Sequence, residues 1–204
     1  MITIVDYGLG NVRAFLNVYH RLNIAAKAAS SAAELKAASK VVLPGVGAFD
    51  HAMERLEESG MRGTLEELAL GARVPVLGVC VGMQILGRSS EEGKLPGLGW
   101  IEGRVRHFAT QASFGELPLP HMGWNDVRPV AGNPLFRQLE TDARFYFLHS
   151  YYMDCDRAQD VAAVSVYGIE FCCAVSAGNI YGVQFHPEKS HHDGTRLLKN
   201  FAEL

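Results

Sequence analysis

The sequence predicts an α/β protein: an open, mostly parallel, doubly wound sheet flanked by helices, with antiparallel additions in its second half. Three observations carry that expectation. Short β-rich runs alternate with amphipathic helical patterns through the first half of the chain, the order that builds parallel βαβ units. The second half carries successive strand patterns with little helix between them, which suits antiparallel pairing. Between the halves, an apolar strand over 74–79 runs directly into a helical pattern from Val81, leaving Cys80 at the junction.

The elements follow in order. Residues 2–6 form a strand and 11–22 a helix, in which Val12, Phe15, Leu16, Tyr19 and Leu22 make one apolar stripe. A second strand covers 24–28. Ser31 and Glu34 have capping-box spacing and open a short helix reaching 38. The strand at 41–43 ends at Pro44-Gly45, and helices over 49–58 and 61–70 precede the strand at 74–79 and an elbow helix over 81–88. In open α/β sheets, sites form outside the carboxyl ends of the strands. Asp6-Tyr7-Gly8, Pro44-Gly45 and Cys80 therefore fall on one rim. Further strands are expected at 100–108, 123–127, 145–148, 161–166, 171–176 and 180–184. A final helix over 194–202 buries Leu197, Leu198 and Phe201. No repeat, low-complexity stretch or linker interrupts the chain, so a single domain spanning 1–204 is expected.

Composition narrows the function classes. With 204 residues, 48% hydrophobic, such a chain can bury about 70% of its unfolded surface in one core. A net charge of −3 supplies no basic stripe, which argues against nucleic acid and anionic membranes as partners and for a small neutral ligand. The longest nearly apolar stretch, 74–86, contains Pro75, two glycines and Gln84 and is shorter than the roughly 20 residues that span a bilayer. Met1 leads straight into Ile2-Thr3-Ile4-Val5 without a basic region or signal core, which predicts a cytosolic location. Cys80, Cys155, Cys172 and Cys173 make no C-x-x-C or other common zinc spacing. No metal, cofactor or disulfide is expected, and Cys172 and Cys173 read as packed strand thiols.

The strongest chemical signal is Gly78-Val79-Cys80-Val81-Gly82, a G-x-C-x-G elbow and the cysteine version of G-x-S-x-G. A lone cysteine at a strand end is usually an inert core thiol. Here the flanking glycines permit a sharp turn that lifts the nucleophile above the sheet. The helix amino terminus favours a thiolate, and the Val81 N–H faces an oxygen bound beside it. Far downstream, Gln184-Phe185-His186-Pro187-Glu188 sets a histidine and a carboxylate two positions apart after a strand. Extended geometry would let His186 reach a thiol while Glu188 holds the other ring nitrogen. The neighbouring His191, His192 and Asp193 read as a solvated loop and helix cap.

Together these motifs resemble the class I glutamine amidotransferase family, and the likeness runs over nearly the whole chain. It is strongest to the branch that supplies the glutaminase subunit of imidazole glycerol phosphate synthase. The words that carry it are Asp6-Tyr7-Gly8-Leu9-Gly10-Asn11, Leu43-Pro44-Gly45-Val46-Gly47-Ala48-Phe49, Pro120-His121-Met122-Gly123-Trp124-Asn125, Tyr146-Phe147-Leu148-His149-Ser150-Tyr151-Tyr152 and Gln184-Phe185-His186-Pro187-Glu188-Lys189-Ser190. Met83 adds to them, at a place where several relatives have histidine.

The resemblance implies a triad of Cys80, His186 and Glu188, oxyanion donors at Val46 and Val81, and a glutamine pocket of Gly47, Gln84, Glu92, Ser150 and Tyr151. It also implies a heterodimer in which Tyr7, Asn11, His121, Met122, Trp124 and Asn125 face a (β/α)8 cyclase that uses the ammonia in histidine biosynthesis. Blander readings compete: a solvated charged helix end for Ser89-Ser90-Glu91-Glu92, a packed indole for Trp124, and satisfied polar groups for Tyr7 and Asn11. Two other functions remain open at this point. One is a paralogous glutaminase serving a different synthase, such as one aminating a nucleotide sugar or surface-polysaccharide precursor. The other is a catalytically silent interaction subunit.

Magnitudes locate the expected control point. A thiol of ordinary pKa, about 8.5, is roughly 3% ionised at pH 7, so activating it yields at most about 30-fold. Losing one oxyanion donor costs about 10² to 10³ in rate. A switch is therefore expected at the Val46 peptide, where Gly45 and Gly47 ease rotation.

Overall fold

The computed structural model describes residues 1–204. The first half builds the parallel part of the sheet from β1 (Ile2–Val5), β2 (Ala26–Ala29), β3 (Lys40–Gly45) and β4 (Val76–Cys80), in the order β2-β1-β3-β4. All four run parallel. β1 and β4 are buried at every position, which is why both are near-continuous apolar runs rather than alternating ones.

The intervening helices are α1 (Val12–Arg21), α2 (Ala32–Leu35), α3 (Phe49–Glu58), α4 (Arg62–Glu66) and α5 (Val81–Gln84). The Asn11 side chain caps α1 by accepting the Ala14 N–H at 3.0 Å. Ser31 accepts the Glu34 N–H at 3.3 Å, as its spacing predicts. Glu34 reaches back to the Ser30 N–H, at 2.7 Å, instead of to the Ser31 N–H.

The second half completes the sheet. β5 (Gly103–His107), β7 (Arg128–Pro129), β9 (Tyr151–Cys155), β10 (Val161–Tyr167), β11 (Ile169–Ala177) and β12 (Ile180–Val183) all join it. β12 lies parallel to β4 on the side away from β3. β11, β10 and β7 then continue antiparallel, and β9 pairs with β11 and β5. A separate antiparallel ribbon forms from β6 (His121–Asp126) and β8 (Arg144–His149). The chain closes with α6 (His191–Glu203).

Several boundaries differ from expectation for identifiable reasons. The elbow helix stops at Gln84 instead of 88. Its next carbonyls are taken by a returning segment: Ile85, Gly87 and Arg88 accept from Leu98, Gly99 and Gly97 at 2.8, 3.0 and 3.0 Å. A Cβ at Gly97 would sit 2.1 Å from the Gly87 oxygen, so this close approach needs glycine. Ser89 to Glu92 is accordingly no helix end, and Ser90 makes a bridge to Val105. Trp100 and Ile101 donate to the Leu86 oxygen, which delays β5 to Gly103. The 61–70 helix changes to a π turn over Glu67–Gly71. β7 and β9 were not anticipated, and α6 begins at His191 rather than 194, placing both histidines in its first turn.

Candidate active site

Cys80 ends β4 with φ 56° and ψ −115°, a strained setting for a non-glycine residue. The glycines flanking it act differently from the sequence expectation. Neither supplies a positive φ; both give clearance. A Cβ at Gly82 would lie 2.0 Å from the Leu43 oxygen, and one at Gly78 would lie 2.5 Å from the Gly82 oxygen. They let α5 start almost in contact with β3 and β4, while the turn itself is strained at the cysteine.

Topology brings the distant histidine to this elbow. Because β12 runs parallel beside β4, with Val183 opposite Val79, the chain leaving β12 emerges next to Cys80. The His186 N–H donates to the Tyr146 oxygen at 2.9 Å. Ser190 Oγ donates to the His186 oxygen at 2.6 Å and accepts the Tyr146 N–H at 2.9 Å. Phe185 stacks on Phe145 with centroids 3.9 Å apart. The loop is thus pinned to β8 on both sides of the imidazole.

His186 Nδ1 bonds Glu188 Oε1 at 2.8 Å, and the two side chains are only 4% and 3% exposed. The other Glu188 carboxylate oxygen is buried without a partner, so His186 is the main compensation for that charge. Burial alone pulls the His186 pKa down. Its hydrogen bonds to Cys80 and Glu188, with the charge on each, outweigh burial and push it up to about 9. With Nδ1 committed to Glu188, the nitrogen left for the sulfur is Nε2.

Above these groups opens a cleft of about 300 Å³. Its walls include Cys80, His186, Val46, Val81 and all five residues expected to hold substrate, Gly47, Gln84, Glu92, Ser150 and Tyr151. Glu188 stands behind His186. Val46 is 42% exposed at the mouth, beside Gly47 at φ 90° in open space. Glu92 accepts the Phe49 N–H at 2.8 Å, fixing its carboxylate at the start of α3. Gln84 spends both amide hydrogens, on the Tyr151 oxygen at 3.3 Å and on Gln184 Oε1 at 3.1 Å, so only its oxygen is free to meet a ligand.

The comparison with known families is decisive at this point: the model described as glutamine amidotransferase class-I matches residues 4–204. The chain belongs to the class I glutamine amidotransferase family. Among curated relatives, this amidotransferase is 60% identical to the imidazole glycerol phosphate synthase subunit HisH of Bdellovibrio bacteriovorus and 52% identical to that of Leptospira interrogans. Each alignment covers 100% of both chains. Among solved structures, it superposes on a glutamine amidotransferase from Thermotoga maritima with a TM-score of 0.62 at 19% identity, over 99% of this chain and 82% of the other. That likeness shows the shared fold.

The amidotransferase divides its expected partner residues into two sets. Met122 and Trp124 point outward from β6, 64% and 42% exposed, opposite Leu148 and Tyr146 of β8. Trp124 stacks on His191, with centroids 5.3 Å apart and planes at 5°, so the indole is both packed on one face and exposed on the other. Asn11 is exposed but serves as the α1 cap. Tyr7 and His121 are buried, only 2% and 3% exposed, and cannot touch a partner directly. The Tyr7 hydroxyl donates to the Pro44 oxygen at 2.7 Å, bracing the strand before Val46.

Three further residues at the site were missed in the sequence. His149 and Lys189 line the cleft, and Gln184 places its amide nitrogen 3.9 Å from Cys80 Sγ. All three lie inside the motif words. Gln184 directly follows β12, His149 ends β8 and Lys189 follows the His186-Pro187-Glu188 word, and that placement was the available signal.

Proposed function

We propose that this amidotransferase is the glutaminase subunit of imidazole glycerol phosphate synthase, hydrolysing glutamine at Cys80 and passing ammonia to a (β/α)8 cyclase bound over the cleft. The observation that carries this reading is that Cys80 and His186, the imidazole bonded to Glu188 at 2.8 Å, share the wall of one cleft with all five expected glutamine contacts. Full-length identity to subunits of that synthase supports it over a paralogue serving another acceptor. A single catalytic domain is supported by one connected cluster of buried hydrophobic side chains that takes in residues from Ile2 to Phe201.

In the proposed reaction the Cys80 thiolate attacks the side-chain amide carbon of glutamine. The oxyanion takes N–H bonds from Val81 and from the Val46 segment. Glu92 receives the substrate α-amino group, and Gly47, Ser150 and Tyr151 hold its α-carboxylate end. Charged His186 donates its proton to the departing nitrogen, ammonia leaves, and a glutamyl thioester remains. Forming the thioester removes the negative charge on Cys80 that had raised the His186 pKa. The now neutral imidazole can then take a proton from the attacking water, which releases glutamate and restores the thiolate.

This scheme fixes a pH dependence. Protonated His186 is required for the first step, so kcat/KM for glutamine falls as pH rises through about 9. Glu188→Gln removes one cause of the upward shift, and its descending limb is expected at lower pH. An unchanged limb in a pH-rate profile of the variant contradicts the pairing.

The outward face of the β6–β8 ribbon supplies the proposed docking surface. Met122, Trp124 and Leu148 are exposed, Lys189 lies 5.8 Å over the Tyr146 ring, and Leu148 and Lys189 also line the cleft. A partner seated there covers the mouth, which keeps ammonia from water. A cytosolic setting belongs to the same reading, as the place of a histidine-biosynthetic synthase subunit. The test is to add the (β/α)8 partner, with its own ligand, to the isolated chain. Glutamine hydrolysis is expected to rise about 10²-fold or more; equal rates with and without the partner reject the assignment.

A further inference from the structure

The cleft is the meeting point of two hydrogen-bond chains that the triad mechanism does not use. One runs from the Tyr151 oxygen inward. Gln84 Nε2 donates to that oxygen at 3.3 Å and to Gln184 Oε1 at 3.1 Å. Gln184 Nε2 is then turned to Cys80 Sγ at 3.9 Å. The amide orientations follow necessarily: a backbone oxygen can only accept, so Gln84 presents its NH₂ group, and its second hydrogen requires the Gln184 oxygen. Gln184 is left with its hydrogens toward sulfur. Its side chain is wholly buried.

The other chain runs outward from the same oxygen. His149 Nδ1 lies 2.8 Å from it, His149 Nε2 lies 3.0 Å from His121 Nδ1, and His121 Nε2 lies 3.2 Å from Asn125 Nδ2. Asn125 Nδ2 also donates to the Val166 oxygen at 2.9 Å, while its Oδ1 accepts the Asp126 N–H at 2.8 Å. Starting from the Tyr151 oxygen, His149 must carry its proton on Nδ1 and accept on Nε2, which puts a proton on His121 Nδ1. Starting instead from Asn125, His121 must accept on Nε2 and donate from Nδ1. Both ends give the same tautomers.

We propose that Gln184 is a further catalytic residue, donating to the Cys80 thiolate, and that Gln84, His149 and His121 are positioning residues that hold its amide and the Tyr151 carbonyl in a fixed sense from strand β6 inward. The geometry works only with both imidazoles neutral, since an extra proton would leave two N–H groups facing each other. Burial maintains that state, pulling the His121 pKa down to about 4 and the His149 pKa to about 3. A buried network is stable when every member is paired, and each linking nitrogen and oxygen here has its partner. The side chains that form the outer chain alternate along β6 with Met122 and Trp124, so the ribbon that would meet a partner also anchors the thiolate donor.

This inference rests on Cys80 being the nucleophile, and its test reads the thiolate without glutamine. Iodoacetamide alkylation of Cys80 in Gln184→Leu is expected to slow about tenfold at pH 7 and to stay within about twofold of the parent at pH 10. Gln184→Glu, which keeps the volume but faces the sulfur with an acceptor, is expected to slow more at pH 7. In the unaltered chain, imidazole ¹⁵N spectra should show His121 and His149 neutral and protonated on Nδ1 at pH 7. Parent-like alkylation at pH 7 in both variants, or an Nε2-protonated or charged form of either histidine, overturns the proposal. Normal thiolate behaviour of this kind without glutamine turnover would instead reject the glutaminase reading and leave the network standing.

Discussion

Cys80→Ala is expected to lower glutamine hydrolysis by about 10⁴-fold or more, the scale on which removal of a covalent nucleophile acts, while the proposed complex with a synthase partner still uses free ammonium at the parental rate. The two halves of this result follow from different parts of the structure. Hydrolysis is lost because no other thiol lines the cleft. Ammonium use persists because alanine removes one sulfur from a side chain only 5% exposed and leaves the β6–β8 ribbon untouched. The strained φ of 56° at this position is equally unfavourable for alanine and cysteine, so the fold should tolerate the change. Glutamine turnover within tenfold of the parent, measured as glutamate release, contradicts the role given to Cys80.

Val46→Pro is the second large effect. The substitution deletes the backbone N–H that the proposed oxyanion site needs and leaves the thiol, His186 and Glu188 in place. Loss of one such donor is worth about 10² to 10³ in rate, or 2.7 to 4 kcal/mol. That loss should appear chiefly as failure of the partner to stimulate, because the proposed nucleophile and base already share the cleft in the chain alone, with Glu188 held 2.8 Å from His186 Nδ1. What remains to be controlled is the exposed peptide between Gly45 and Gly47. Gly47 is free to turn, at φ 90° with nothing within 4 Å, whereas a Cβ on Gly45 would meet the Gly82 nitrogen at 2.4 Å. Rotation is therefore expected to hinge on the Gly47 side. Stimulation of the proline variant equal to that of the parent, with unaltered Cys80 alkylation, places the switch elsewhere.

Much of this architecture was legible in the sequence because periodicity and function coincide in the parallel half. β1, β3 and β4 are buried on both faces, so their apolar runs stand out; β4 ends at Cys80 itself and β3 ends at Gly45, one residue before Val46. The elbow and the His186-Pro187-Glu188 word were legible for the same reason. What was hidden depended on contacts between distant segments. The early stop of α5 is imposed by carbonyls that bond to residues 97–99, and nothing in the local pattern of Ile85 to Arg88 announces it. β9 was masked because Tyr151 and Tyr152 already belonged to a motif. The relay through His121 and His149 was invisible because two histidines 28 positions apart meet only when β6 and β8 pair in register, His121 opposite His149. Tyr7 and His121 illustrate the converse. Their words belong to a proposed interface, yet their side chains turn inward and act by bracing the residues that do face outward.

Family membership, fold and residue placement leave the chemistry of Cys80 as the claim on which everything else depends, and one measurement addresses it directly. The chain is incubated with an electrophilic glutamine analogue and its intact and peptide masses are recorded with and without excess glutamine. The account predicts a single adduct on Cys80, slowed by glutamine and absent from Cys80→Ala, with Cys155, Cys172 and Cys173 unmodified. An adduct on another cysteine, or no glutamine-protected adduct at Cys80, would contradict it.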